Sequence, residues 1–250
     1  MNLFTKCYRS CKGTLKETFL LLRSIPSPVV AFFVVSVVTM NLLANKTILS
    51  LEYLALDGGL LVSWIAFLAM DIVTKHFGPR AATLLSIFAL FVNLVVSLIF
   101  YLVSIIPGDG SPFVIAFNQI FGGTWFILLS SSIAFIASAV INNFLNYAVG
   151  KTFKKNPDGK LAYFTRSYVS TFIGQFADNM IFTSLVFLLF FPVFQGWGWT
   201  FIQALMCSLF GAMVELLLEA VFSPIGYYVC KKWKNDSIGI QYFEYIRSAK

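Results

Sequence analysis

Charge is scarce in this sequence: Asp, Glu, Lys and Arg make up 12% of 250 residues, against 58% hydrophobic ones. So little charge excludes an ordinary soluble domain. Histidine occurs once, as His76, and the four cysteines are Cys7, Cys11, Cys207 and Cys230. Cys7-x-x-x-Cys11 has no second pair of ligands, so no metal site or cofactor is expected and the thiols are read as reduced. The sequence has no Gly-x-x-x-x-Gly-Lys-Ser/Thr and no His-Glu-x-x-His, and its one Pro-Gly-Asp-Gly, from Pro107, sits in a loop. A nucleotide motor, a zinc protease and an intramembrane aspartyl protease each lose their required residues, and no enzymatic activity is expected. The net charge of +7 comes from basic residues that flank apolar runs rather than gather among stacking aromatics. That arrangement argues against nucleic acid as a partner. The basic start runs to Arg23 and lacks a small-residue cleavage site, so the first apolar run is expected to be retained.

What the chain does have is long apolar runs, 28 phenylalanines and a mean hydropathy of +0.82. The pattern predicts an all-α integral membrane protein with six transmembrane helices in one bundle. Residues 1–25 read as a basic amphipathic lead-in at the membrane surface, 26–230 as the bundle and 231–250 as a basic tail. The spans are expected near 28–44, 54–75, 81–106, 121–149, from the 160s to 191, and 199–230. Residues 113–120 are a short connection, and Asn156-Pro157-Asp158-Gly159 is the turn of a basic loop. Every lysine and arginine except Lys46 falls on one side of this arrangement. The positive-inside rule therefore places both termini in the cytoplasm.

Polar residues inside the spans are the candidate site. In Arg166–Phe182, Thr171, Gln175, Asp178 and Phe182 recur at spacings of four, three and four, which puts them on one helix face. Asp178 lies roughly 18 Å along the helix from Arg166. A carboxylate at mid-membrane costs about 2.5–3.5 kcal/mol on insertion scales, so it reads as functional. Glu215 and Glu219 share a face of the last span, and counting back from Lys231 gives Glu219 about the depth of Asp178. Close carboxylates favour retention of a proton, so these acids are candidates for ligand or proton handling. Ser138-x-x-x-Asn142 and Gly174-x-x-x-Asp178 form a weak inverted pair. Asn142 and Asn143 read equally as glue between helices. Asp71 is either paired with Lys75 or Arg80 or, with Lys75, part of a cytoplasmic gate. His76 reads as an interfacial residue. Gln175 and Asp178 suit a ligand with a flat donor–acceptor edge, a heterocycle rather than a sugar.

Ala69-Met-Asp71-Ile-Val-Thr-Lys75-His-Phe77-Gly78, Ser170-Thr-Phe-Ile-Gly-Gln175-Phe-Ala-Asp178-Asn-Met-Ile-Phe182 and Glu219-Ala-Val-Phe-Ser-Pro224-Ile-Gly-Tyr227 together resemble the queuosine precursor transporter family, also called the vitamin uptake transporter family. The resemblance spans nearly the whole chain. It implies inner-membrane uptake in bacteria of a 7-deazapurine such as 7-cyano-7-deazaguanine, whose guanine-like edge would meet Asp178 and Gln175. Asn142, Glu219, Thr171 and Phe182 would complete the substrate site, with Asp71, Lys75 and Glu215 in gating or proton handling. The other reading is a substrate-binding subunit that works with energising subunits; a homo-oligomer is also compatible. The chain departs from the family pattern at Ala139 and Asn142, where Gln and Asp are usual, and at Glu215, where a basic residue is usual.

Overall fold

The computed structural model describes residues 3–122, 125–150, 160–194 and 196–248, though not the side chains of 3–12, 143, 146, 147, 150, 160–164, 166 and 167. The side chains of Cys7, Cys11, Asn143 and Arg166 and the basic turn at 156–159 thus lie outside the described residues. Helices dominate: α1 (Leu3–Ser24), α2 (Ser27–Leu43), α3 (Leu60–Phe77), α4 (Pro79–Ser104), α5 (Pro112–Gly122), α6 (Trp125–Gly150), α7 (Lys160–Thr183), α8 (Phe191–Phe194), α9 (Phe201–Asn235) and α10 (Ile240–Ser248). Among the described residues five helical runs are long and apolar enough to cross a membrane. A sixth arises when α1 and α2, bent by 111° at the break between them, count as one broken span. The chain is therefore a multi-pass membrane protein built as an all-α bundle.

The break before α2 follows from Pro26 and Pro28: Pro28 opens the helix, where a missing N–H costs nothing. The loop after α2 is not plain coil. β1 (Thr47–Ser50) and β2 (Ala55–Asp57) pair as a small antiparallel hairpin, so the second span begins at Leu60 rather than near residue 54. Ala55 and Leu56 are apolar and buried in β2 itself, so hydropathy alone extends the span too far. Residues 113–120 belong to the helix α5, whose Phe117 and Phe121 pack on Phe100 of α4. The last span likewise runs on to Asn235.

The fifth span continues beyond α7 as a π-helical segment, Ser184–Phe190. Pro192 has no N–H to give back to the carbonyl five residues earlier, and Trp199 N–H donates to that Phe187 carbonyl instead, at 3.0 Å. In α9, Pro224 leaves the Ala220 carbonyl free, and Ser223 Oγ donates to it at 3.3 Å. The main core joins α2, α3, α4 and α6 through Phe33, Val37, Met70, Val73, Leu85 and Phe135. Ala66, Ala81, Ala82 and Ala89 are wholly buried among them, and small residues allow such close helix approach where lipid offers no hydrophobic drive. Phe91, Leu98 and Ile99 on α4 face outward, as a lipid-bathed helix requires.

Both chain ends close on one another. α10 packs on α1, with Lys16 Nζ 5.5 Å from the centre of the Tyr245 ring. Glu17 is buried; Arg80 donates to it at 2.6 Å and Tyr242 O–H at 3.4 Å. Burial, with the adjacent Glu17 charge, pushes the Tyr242 phenol up to about 12. Arg80 is thus engaged with the lead-in helix, and Asp71 pairs with Lys75 at 3.2 Å within α3.

Candidate functional site

The acidic residues of three elements converge on one small cavity of about 40 Å³. Asp57 reaches it from the end of β2, Asp178 from α7 and Glu215 from α9. Asn41 of α2, Ser63 of α3, Ser131 of α6, and Asn179 and Thr183 of α7 add polar groups to its wall, and Phe182 supplies an aromatic one. No lysine, arginine or histidine lines it among the described residues.

Each acid is held by a neighbour. Ser138 Oγ on α6 donates to Asp178 Oδ1 at 2.7 Å. Glu215 takes one bond from Ser63 Oγ and another from Asn179 Nδ2 at 3.3 Å. Asn41 accepts from Ser131 Oγ while its Nδ2 donates to the Val37 carbonyl at 3.0 Å. Asp57 Oδ1 accepts from Gly59 N–H at 2.7 Å, which closes the turn that leads from β2 into α3. Among the described residues the second oxygen of Asp178 has no hydrogen-bond partner, which leaves a carboxylate oxygen for a donor inside the cavity.

Asp57 lies outside the spans, and burial pushes its carboxyl up to about 6 against the lowering effect of the Gly59 N–H. The folded state then binds the proton more tightly than the unfolded state. Its contribution to stability is full below the ordinary value of 3.8 and is lost as pH rises through about 6. The thermal midpoint of the purified protein is expected to fall by a few degrees across that window, and Asp57→Asn to flatten the dependence. An unchanged pH profile in the variant would show that Asp57 is not the group responsible.

Of the residues expected from the sequence, Asp178, Phe182 and Glu215 meet at the cavity. Thr171, Gln175, Asn142 and Glu219 do not line it; all four are buried among the helices. The depth count pairs Asp178 with Glu219, whereas Glu215, one turn away, shares its cavity. That count took Arg166 and Lys231 as water boundaries, but helix continues to Lys160 and Asn235. The extension is longer on α7, which moves the match from Glu219 toward Glu215. Asp71 and Lys75 lie at the far end of α3, outside this cavity.

The second layer is notable for what its side chains lack. Gln175 is wholly buried and, among the described residues, neither amide atom has a hydrogen-bond partner; nor, among them, do Thr171 Oγ1 and Asn142 Oδ1. α6 and α7 meet closely here, since a Cβ on Gly174 would come within 3.0 Å of Asn142 Cβ. A buried polar group left without a partner costs about 1–3 kcal/mol. Gln175 lies one turn of α7 from Asp178, so the layer adjoins the acidic cavity.

Sequence reading missed Asp57 and Ser63. Asp57-Gly-Gly, just ahead of an apolar run, is the available signal for a turn whose acid sits at the mouth of a span.

Polar groups buried at a helix crossing of a membrane bundle mark a site that handles a ligand or an ion. Residues 57–229 match the family described as "Putative vitamin uptake transporter", and the chain belongs to that family. No curated protein and no solved structure matches the chain significantly.

Proposed function

We propose that the chain imports a 7-deazapurine precursor of queuosine, 7-cyano-7-deazaguanine or a close relative, across a bacterial inner membrane. The observation that carries this reading is the buried Gln175 amide, without a partner among the described residues, one turn from the Asp178 carboxylate. A guanine-like edge offers adjacent N–H donors and a carbonyl acceptor. Asp178 would accept from the donors and Gln175 would serve both a donor and the carbonyl. Phe182 would cover one ring face. A cavity without a cation suits such a donor-rich, uncharged ligand.

The present cavity holds a few waters at most, whereas pockets for heterocyclic ligands run to about 300–1,000 Å³. Entry therefore requires α7 and α9 to part from α2 and α3, uniting the acidic cavity with the Thr171–Gln175–Asn142 layer. Glu215 and Glu219 would carry the proton or hydrogen-bond changes of that motion. The Asp71–Lys75 pair at the other end of α3 would act as a gate on the side that the basic residues assign to the cytoplasm.

The test is uptake of 7-cyano-7-deazaguanine by cells that can incorporate it but lack their own importer, read as queuosine in tRNA. Expression of the chain is expected to restore queuosine. Failure by well-expressed protein would sink the substrate assignment. Restoration only when further subunits are supplied would favour a binding subunit, a reading consistent with the absence of a nucleotide-binding motif in the chain itself.

A further inference from the structure

A second cavity, of about 720 Å³, opens where the ends of α3 and α9 meet α10, and it shares no lining residue with the acidic one. Its charge is of opposite sign. Among the described residues Lys75, Lys231, Lys234 and Arg247 line it with Glu244 as the one acid, and with Lys75 paired to Asp71 the lining still carries Lys231 and Arg247 as exposed cations. Lys231 and Arg247 are exposed and, among the described residues, neither has a carboxylate partner.

The floor is aromatic. Trp233 is buried, and His76 packs edge-on against it with ring centres 5.4 Å apart and against Phe243 at 5.7 Å. His76 Nε2–H donates to the Ile238 carbonyl at 3.0 Å, which ties the end of α3 to the turn before α10. The walls are thus braced by packing, while the cations reach in from three separate helices. Cations over an apolar floor match an anion carried on an apolar or ring-bearing body.

From this geometry we infer that the cavity is a binding site for a phosphate-bearing ligand, held by Lys231 and Arg247 with Lys234 and Lys75 in support. Arginine and lysine together suit phosphate oxygens, the first as a fork and the second as a point charge. The phosphate has two sources, an anionic phospholipid headgroup or a free phosphate compound. The position at the end of the spans gives access to either.

The test uses full-length protein in phosphatidylcholine nanodiscs, read by thermal unfolding. One arm adds increasing phosphatidylglycerol, and the other titrates inorganic pyrophosphate into neutral discs. Stabilisation by phosphatidylglycerol assigns a lipid headgroup, and stabilisation by pyrophosphate assigns a free phosphate. In the arm that responds, the double variant K231Q/R247Q is expected to raise the half-saturating amount about tenfold or more, and K231R/R247K to restore it. Lys232 is exposed but does not line the cavity, so K232Q is expected to change it by less than about twofold. No stabilisation in either arm overturns the site. So does an effect of K232Q equal to that of the double variant, because binding would then reflect diffuse positive charge. Both replaced side chains are solvent-exposed, and the ligand-free midpoint checks that the variants fold.

Discussion

Asp178→Asn is expected to lower the initial rate of 7-cyano-7-deazaguanine uptake roughly 100-fold at matched expression. Hydrogen bonds to a charged group contribute about 1.5–3 kcal/mol each, and two such bonds exceed the 2.8 kcal/mol that corresponds to a factor of about 100. Asparagine keeps the volume of aspartate and can still accept the Ser138 hydroxyl, 2.7 Å away in the native protein. Its amide nitrogen, however, would present hydrogens to ligand N–H groups that need an acceptor. The variant should therefore fold and reach the membrane while failing to hold the ligand. Ser138→Ala serves as the graded control: it removes a positioning bond but keeps the carboxylate, and should cost no more than about tenfold. Wild-type uptake by Asp178→Asn would remove Asp178 from the substrate site even if the chain transports the compound.

The membrane class was legible because lipid imposes length and apolarity on every span, and 58% hydrophobic residues with 12% charge meet that demand openly. Asp178 was legible for the complementary reason, since a lone acid in such a run has few structural excuses. What the sequence hid was lateral contact. Helix periodicity places Thr171, Gln175, Asp178 and Phe182 on one face, yet only the tilt and crossing of α7 against α9 decide that Asp178 and Phe182 reach the cavity while Gln175 lies beside it. The same limit hid the choice of Glu215 over Glu219, because one turn of register separates them. Asp57 was hidden by a different cause. Its place depends on the short hairpin whose second strand it ends, and strands of four and three residues are too short to leave a periodic signal. Nearness in sequence offers Lys75 or Arg80 as the partner of Asp71; Lys75 takes that place, while Arg80 donates to Glu17, distant in sequence.

Gly239→Ala is expected to undock the terminal helix and lower stability by about 2–4 kcal/mol, from the sum of backbone strain and overpacking. Gly239 has φ of +81°, a conformation that side-chain-bearing residues resist, and a Cβ there would lie 2.2 Å from Phe77 Cε1. The ring cannot step aside. It is stacked on Phe243 at 5.6 Å, set edge-on to Tyr242 at 5.8 Å and tilted against Trp233 at 5.9 Å. Relief must come from the turn instead, and moving the turn carries α10 away from α1 and breaks the His76 bond to Ile238. Ser237, two residues earlier, offers the opposite control. It also has a positive φ, of 52°, and is exposed, so Ser237→Gly should be neutral or stabilising by up to about 1 kcal/mol. Thermal unfolding of the purified full-length chain measures both, and protease sensitivity after residue 235 reports whether α10 has come loose. A Gly239→Ala protein that melts with the wild type and resists cleavage would show that Phe77 and its ring cluster yield far more readily than their packing implies. Because the same ring cluster forms the floor of the basic cavity, the undocked variant should also lose the response to phosphate-bearing ligand while its acidic cavity, built from other elements, stays intact.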